Sequence, residues 1–183
     1  SISEITRQNR AALAWTYHNI SRFNGDPEAI FVSGHSAGGH QVGMLSVTDW
    51  VGAYGLPSDV IKGGIPISGL FDLRPFRYSW LQPKLLLTHE TIARESPLFL
   101  VEQAPKLPPL LTTLGGDESA EFHRQSSDFS DQWRLFGGEA TGLDQPGKEH
   151  ISAIAGFEDP GSTLCCAIKD FTNRIQSKRA SFD

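Results

Sequence analysis

Apolar positions along the chain alternate between two periods. Residues 3–20 carry Ile5, Ala12, Leu13, Trp15 and Ile20 at roughly helical spacing, which predicts a helix with Ser3 as its N-cap. Asn24-Gly25-Asp26-Pro27 ends it as a turn. Ala29-Ile30-Phe31-Val32-Ser33 is short and almost wholly apolar, the pattern of a strand buried on both faces. A small-residue turn, Gly34 to Gly39, leads into a helical pattern over 37–47. Residues 61–68 predict a second strand, although Pro66 removes a ladder donor. The stretch 70–105 is mixed, rich in proline and aromatics, with helical pieces near 82–94. Leu107 to Leu114 predicts a third strand, ended by Gly115-Gly116-Asp117. Over 119–136, Phe122, Phe129, Trp133 and Phe136 mark a helix; 139–144 is a short, poor strand, and 161–177 a last amphipathic helix. Strands alternating with helices predict an α/β layered fold around a parallel sheet.

The 183 residues suit one domain with a sizeable core. A net charge of −5 and a pI near 5.6 argue against a surface built for nucleic acid or anionic membrane. No apolar run is long enough to span a membrane. The two cysteines, Cys165 and Cys166, are adjacent, which excludes a disulfide framework and points mildly to a reducing, cytoplasmic setting. The chain opens Ser1-Ile2-Ser3-Glu4 directly into a helical pattern, without a basic leader, so it is expected to begin inside a longer protein.

The chemistry concentrates at Gly34-His35-Ser36-Ala37-Gly38, a G-x-S-x-G pattern. A chance match in a chain this long has a probability of roughly 0.05, so its setting decides. A strand enters it and a helix leaves it, the strand–turn–helix context that lifts a serine hydroxyl above a sheet edge. Side chains two positions either side are expected to collide with the neighbouring strand and helix. The alternative is an ordinary glycine-rich turn holding a phosphate. The loop lacks both the Lys-Ser/Thr ending of a P-loop and the G-x-G-x-x-G spacing.

A nucleophilic serine needs a base, and the base an orienting carboxylate. Asp117 follows the third strand at the end where α/β sheets place ligands, and His150 lies in a later loop. Ser36, Asp117 and His150 thus stand in nucleophile–acid–base order. Glu118 adjoins Asp117 and is kept as an alternative acid, while Asp72, Asp128 and Asp131 read as solvated charge. His18 and His89 read as helix-surface residues, and His35 as packing or bonding locally. His35 and His40 lack the companions of a metal site, so no metal and no organic cofactor is expected.

With these blocks in view, the chain resembles the carboxyl-terminal part of an α/β-hydrolase, near the esterase/arylformamidase (kynurenine formamidase) branch. The resemblance is carried by Gly34 to His40, Ile67-Ser68-Gly69-Leu70-Phe71-Asp72-Leu73, Ser96-Pro97-Leu98 with 107–111, and Gly115-Gly116-Asp117-Glu118-Ser119. It implies a three-layer α/β/α fold with a mainly parallel sheet, and Ser36, Asp117 and His150 as a triad. The Ala37 N–H would be one oxyanion donor. It implies residues 1–183 as a single domain with a cap-like segment near 71–100. Phe71 and Trp80 could line the substrate pocket, or simply pack the cap. The substrate class is a small-molecule ester or aryl formamide. A His-Gly-Gly-type oxyanion loop and the early strands have no counterpart here. Their loss would leave the elbow strand as an edge, to be completed by a missing amino-terminal segment or a second chain. The rival readings are a catalytically silent hydrolase-fold binding module, or an inactive fragment.

Overall fold

The computed structural model describes residues 1–180; the last three residues of the expected domain, 181–183, lie outside the described residues. Ile2–Asn19 forms α1. Its N-cap is Ser1 rather than Ser3, with Ser1 Oγ accepting from the Glu4 N–H at 3.3 Å. Ser1 has, three positions on, the glutamate that Ser3 lacks. The elements that follow are β1 (Phe31–His35), α2 (Ala37–Ser46), α3 (Trp50–Tyr54), β2 (Gly63–Ile67), α4 (Gln82–Leu85), α5 (His89–Glu95), β3 (Leu110–Gly115), α6 (Ala120–Leu135), β4 (Ala140–Gln145) and α7 (Thr163–Ala180).

The four strands form one parallel sheet in the order β1-β2-β3-β4. In register, Phe31 faces Gly63, Gly64 faces Leu110, and Leu110 faces Ala140. The second strand is buried at every position, as a strand covered on both faces must be. Pro66 sits inside it at the cost of one ladder bond. The Gly64 N–H donates to Pro109 O at 2.9 Å and the Ser68 N–H to Thr113 O at 2.8 Å, and Pro66 between them has no N–H to give. Residues 29–33 were expected to be equally buried. Instead β1 is half-buried with Ser33 exposed, because among the described residues it pairs on one side only.

Helices cover both faces. On one, Phe171 and Ile175 of α7 pack against Ile65, Ile67 and Leu111. On the other, Phe129 and Trp133 of α6 enclose Leu110, Val47 and Phe71. The Phe71 and Phe129 rings stack 4.0 Å apart, 8° from parallel. Trp133 satisfies its indole by donating to Pro108 O at 3.0 Å. A third cluster, Leu13, Leu45, Trp50, Leu56, Val60 and Ile61, joins α1 to α2.

Between β2 and β3 the chain makes short helical turns, including α4 and α5. The start of this stretch is fixed by Gln125, a fully buried residue of α6. Its Oε1 accepts from the Phe71 and Asp72 N–H groups at 2.6 and 2.8 Å, and its amide donates to Asp72 O at 2.9 Å. Three backbone groups that burial would otherwise leave unanswered are thereby paired.

Candidate active site

Ser36 stands between β1 and α2 with φ 57° and ψ −116°. A side chain other than glycine's pays for this conformation, so the surroundings must enforce it. The Ser36 N–H donates to Ile67 O of the neighbouring strand at 2.9 Å, and Ser36 O accepts from the His40 N–H at 3.0 Å. Close approach does the rest. A Cβ on Gly34 would lie 2.4 Å from Gly38 O, and one on Gly39 2.9 Å from Ile67 O. At Gly38 it would meet nothing within 4 Å. The steric expectation therefore holds on the strand side of the serine, but on the helix side the crowded glycine is Gly39, one residue later. The first residue of α2 is Ala37, whose N–H has no intrahelical acceptor and stands beside the serine.

The carboxyl ends of β3 and β4 bring the other side chains to this hydroxyl. His150 Nε2 lies 2.9 Å from Ser36 Oγ, and its Nδ1 lies 2.8 Å from Glu118 Oε2. The carboxylate on the imidazole is thus that of Glu118, the alternative acid, and not that of Asp117. Gly115 to Glu118 form a tight turn closed by the Glu118 N–H on Gly115 O at 3.1 Å. Asp117 occupies its exposed tip, with its own N–H on Lys148 O at 3.0 Å. The next residue folds back under the turn, where the Glu118 side chain is 1% exposed.

Glu118 is held at both oxygens. Oε1 accepts from Ser68 Oγ and from the Gly115 N–H, and Oε2 faces His150. Burial alone would push the Glu118 carboxyl up; the bonds from Ser68, Gly115 and His150 outweigh it and hold the group below its ordinary value of 4.5. Ser68 reaches it from the end of β2 with a left-handed backbone, φ 48°. Nothing in the sequence around Ser68 announces that conformation or that partner.

Two further histidines flank the serine. His35 donates from Nε2 to His150 O at 2.8 Å, and its ring lies 4.5 Å from the His150 ring. Burial pushes His35 below its ordinary value of 6.5, further than its bond to the His150 carbonyl and the charge of Glu118 raise it. His40 is buried on α2, donates to Glu95 O at 2.7 Å, and has its Nδ1 2.9 Å from Gln41 Nε2. Burial likewise lowers it.

The pocket residues expected from the aromatic stretch lie elsewhere. Phe71 is 1% exposed and stacked in the core, so its ring lines no open site. Trp80 is 84% exposed. An aromatic ring beside the imidazole is that of Phe122, 4.6 Å from the His150 ring, which the sequence offered only as part of the helical stripe of α6. Among the described residues, no group of three or more metal-ligating side chains occurs and no helix is long and apolar enough to cross a membrane. A cavity of about 580 Å³ runs along the open edge of β1, between α1 and α2. Ile5, Leu13, Val32 and Leu45 line it, and it reaches Ala37 and Gly38 but not Ser36 or His150.

Comparison with known proteins places the chain among esterase-like α/β-hydrolases. The model of the carboxylesterase family matches residues 9–71, which contain the serine turn. The chain is 32% identical over 135 residues to a kynurenine formamidase of Salmo salar, covering 71% of this chain and 45% of that one. It is 29% identical over 138 residues to a kynurenine formamidase of Danio rerio, covering 74% and 46%. It therefore spans about half the length of the curated relatives it matches. A solved structure of a candidate thioesterase from Silicibacter sp. TM1040 superposes with a TM-score of 0.73 at 27% identity, covering 92% of this chain and 59% of that one. Esterase 2 of Thermogutta terrifontis shares the fold with a TM-score of 0.65 at 18% identity, covering 100% and 66%.

Proposed function

We propose, for a chain that is an α/β-hydrolase of the esterase/arylformamidase-like kind, that Ser36, His150 and Glu118 form a catalytic triad cleaving a carboxylic ester or an aryl formamide. One observation carries this reading: an unbroken chain of contacts from Ser36 Oγ through both nitrogens of His150 to a buried carboxylate. The kynurenine formamidase relatives support the formamide among the substrates.

Ser36 Oγ attacks the carbonyl carbon as its proton passes to His150 Nε2. Glu118 holds the Nδ1 tautomer and stabilises the imidazolium that forms. The Ala37 N–H donates to the developing oxyanion. Collapse breaks the C–O or C–N bond, and His150 returns its proton to the departing alcohol or amine. Water then adds to the acyl-serine by the same proton route, releasing the acid and restoring Ser36. Every step uses side chains and water, with a small molecule as the only partner of the chemistry and the cytoplasm as its compartment. A second oxyanion donor is assigned to a strand or loop along the open edge of β1, beside Ala37, from another segment of the protein or a second chain.

The test is labelling of the purified protein with a fluorophosphonate, read by intact mass. The expected result is one adduct per chain, formed as the Ser36 Oγ–P bond replaces P–F, and none in Ser36→Ala. A folded protein that takes no adduct would favour the catalytically silent binding module instead.

A further inference from the structure

The nucleophile and its base sit on different loops, one after β1 and the other after β4, 114 residues apart in sequence. Their alignment must hold to a few tenths of an ångström for the proton to pass. His150 lies in a loop, where backbone bonds are fewer than in a strand, and only its Nδ1 is tied to a carboxylate. A second tie comes from the residue immediately before the nucleophile. His35 Nε2 lies 2.8 Å from His150 O, and because a carbonyl can only accept, this nitrogen carries the hydrogen. The same imidazole lies against the His150 ring, centroids 4.5 Å apart at 40°. One side chain thus fixes the main chain of the base residue and also restrains its ring. Phe122 of α6 makes the other ring contact, at 4.6 Å.

We propose that His35 is a positioning residue for His150, locking the base to the nucleophile turn through one hydrogen bond and one ring contact. This rests on the triad reading above. Because His35 is the chain neighbour of Ser36, any shift of the turn carries the base with it. The two reacting atoms then keep their spacing even when β1 moves against β4. The role needs a neutral His35. A second imidazolium beside His150 would oppose the positive charge that His150 takes up when it accepts the serine proton.

Three variants separate the two contacts. His35→Gln keeps a donor of similar reach and loses the ring. His35→Phe keeps the ring and loses the donor. His35→Ala loses both. The first readout is the second-order rate of fluorophosphonate labelling, with kcat and KM on p-nitrophenyl acetate. His35→Ala is expected to lower the labelling rate and kcat about 100-fold, the cost of a misplaced catalytic group, with KM within about twofold. His35→Gln should recover most of that loss, and His35→Phe should fall between. The second readout is the downfield proton on His150 Nδ1 in the NMR spectrum, which reports the hold of Glu118 on the ring whether or not the protein turns anything over. It should persist in the native protein and in His35→Gln, and broaden in His35→Ala.

Equal labelling rates and an unchanged Nδ1 proton in all three variants would overturn the proposal. So would an equal loss in all three, accompanied by a lower melting temperature and no recovery in His35→Gln. If the native protein is never labelled, yet the Nδ1 proton broadens in His35→Ala and not in His35→Gln, the positioning role stands and the hydrolase reading falls.

Discussion

The turn that carries Ser36 and the corner that carries Glu118 and His150 meet within hydrogen-bond distance of each other, yet they are built by opposite means. Ser36 is placed by its own main chain. Its positive φ, the contact of Gly34 with the Gly38 backbone and the approach of Gly39 to Ile67 O fix the backbone that presents the hydroxyl. Glu118 and His150 are placed by hydrogen bonds. Ser68 and the Gly115 N–H hold the carboxylate, and the carboxylate and His35 hold the imidazole. Steric placement tolerates no added atom at Gly34 or Gly39, whereas hydrogen-bonded placement can lose one bond and keep the rest.

Substitutions can break that contrast in graded steps. The largest effect belongs to the steric side. Gly34→Ala puts a Cβ 2.4 Å from a carbonyl oxygen of the backbone, which has no rotamer to yield. Labelling at Ser36 should vanish, and stability in a urea titration should fall by about 3 kcal/mol, the upper end of overpacking costs. Next comes the carboxylate. Glu118→Gln leaves the shape and removes the charge, and kcat should drop by about 10³–10⁴, as when a triad carboxylate becomes an amide. Asp117→Asn, one residue away on the exposed tip, is its control and should stay within about twofold of native. If the two results are exchanged, the acid is Asp117 and the turn is arranged differently in solution. Ser68→Ala should be milder, since Glu118 keeps its Gly115 and His150 partners. Losing a bond to a charged group costs about 1.5–3 kcal/mol, so kcat should fall by about 10- to 150-fold.

Acid sharpens the comparison with the smallest perturbation. His40 is buried and lowered from 6.5, with Glu95 facing it and pulling partly the other way. Below 6.5 the unfolded chain binds a proton that the folded one refuses, so stability declines as pH falls through that value. His35, lowered as well, adds to the same window. The Glu118 carboxyl is lowered from 4.5, so its contribution is fully present above 4.5 and is lost only as pH falls through its lower folded value. Urea midpoints taken from pH 7.5 down to about pH 2.5 should therefore fall in two stages. His40→Gln should flatten the upper stage and leave the lower one in place.

Much of the molecule was legible from one sequence, and what was not has a common physical cause. The strand–turn–helix around Ser36 could be read because steric placement writes itself in small residues, and the alternation of β1, α2, β2, β3, α6 and β4 followed from periodicity. Which of the two neighbouring carboxylates faces His150, Asp117 or its alternative Glu118, could not be read because a tight turn rotates successive side chains to opposite sides, and neither residue states which is folded inward. Glu118, Ser68 and His150 come from the ends of three strands, and no local pattern in any of them encodes the other two. The aromatics were illegible for another reason. Phe71 and Phe122 look alike in composition, but the first is stacked on Phe129 and the second leans on an imidazole. Only the packing of α6 against the sheet distinguishes them.

The left-handed backbone of Ser36 has a consequence for selection. At φ 57° a glycine would be relieved of strain of the order of 1–3 kcal/mol that the serine carries. Ser36→Gly should therefore melt higher than the native protein while doing no chemistry. A library screened for heat resistance alone would enrich that change first, and its winners would be inert. Any effort to harden this protein has to score turnover in the same round as survival, because at this one position the two pull in opposite directions.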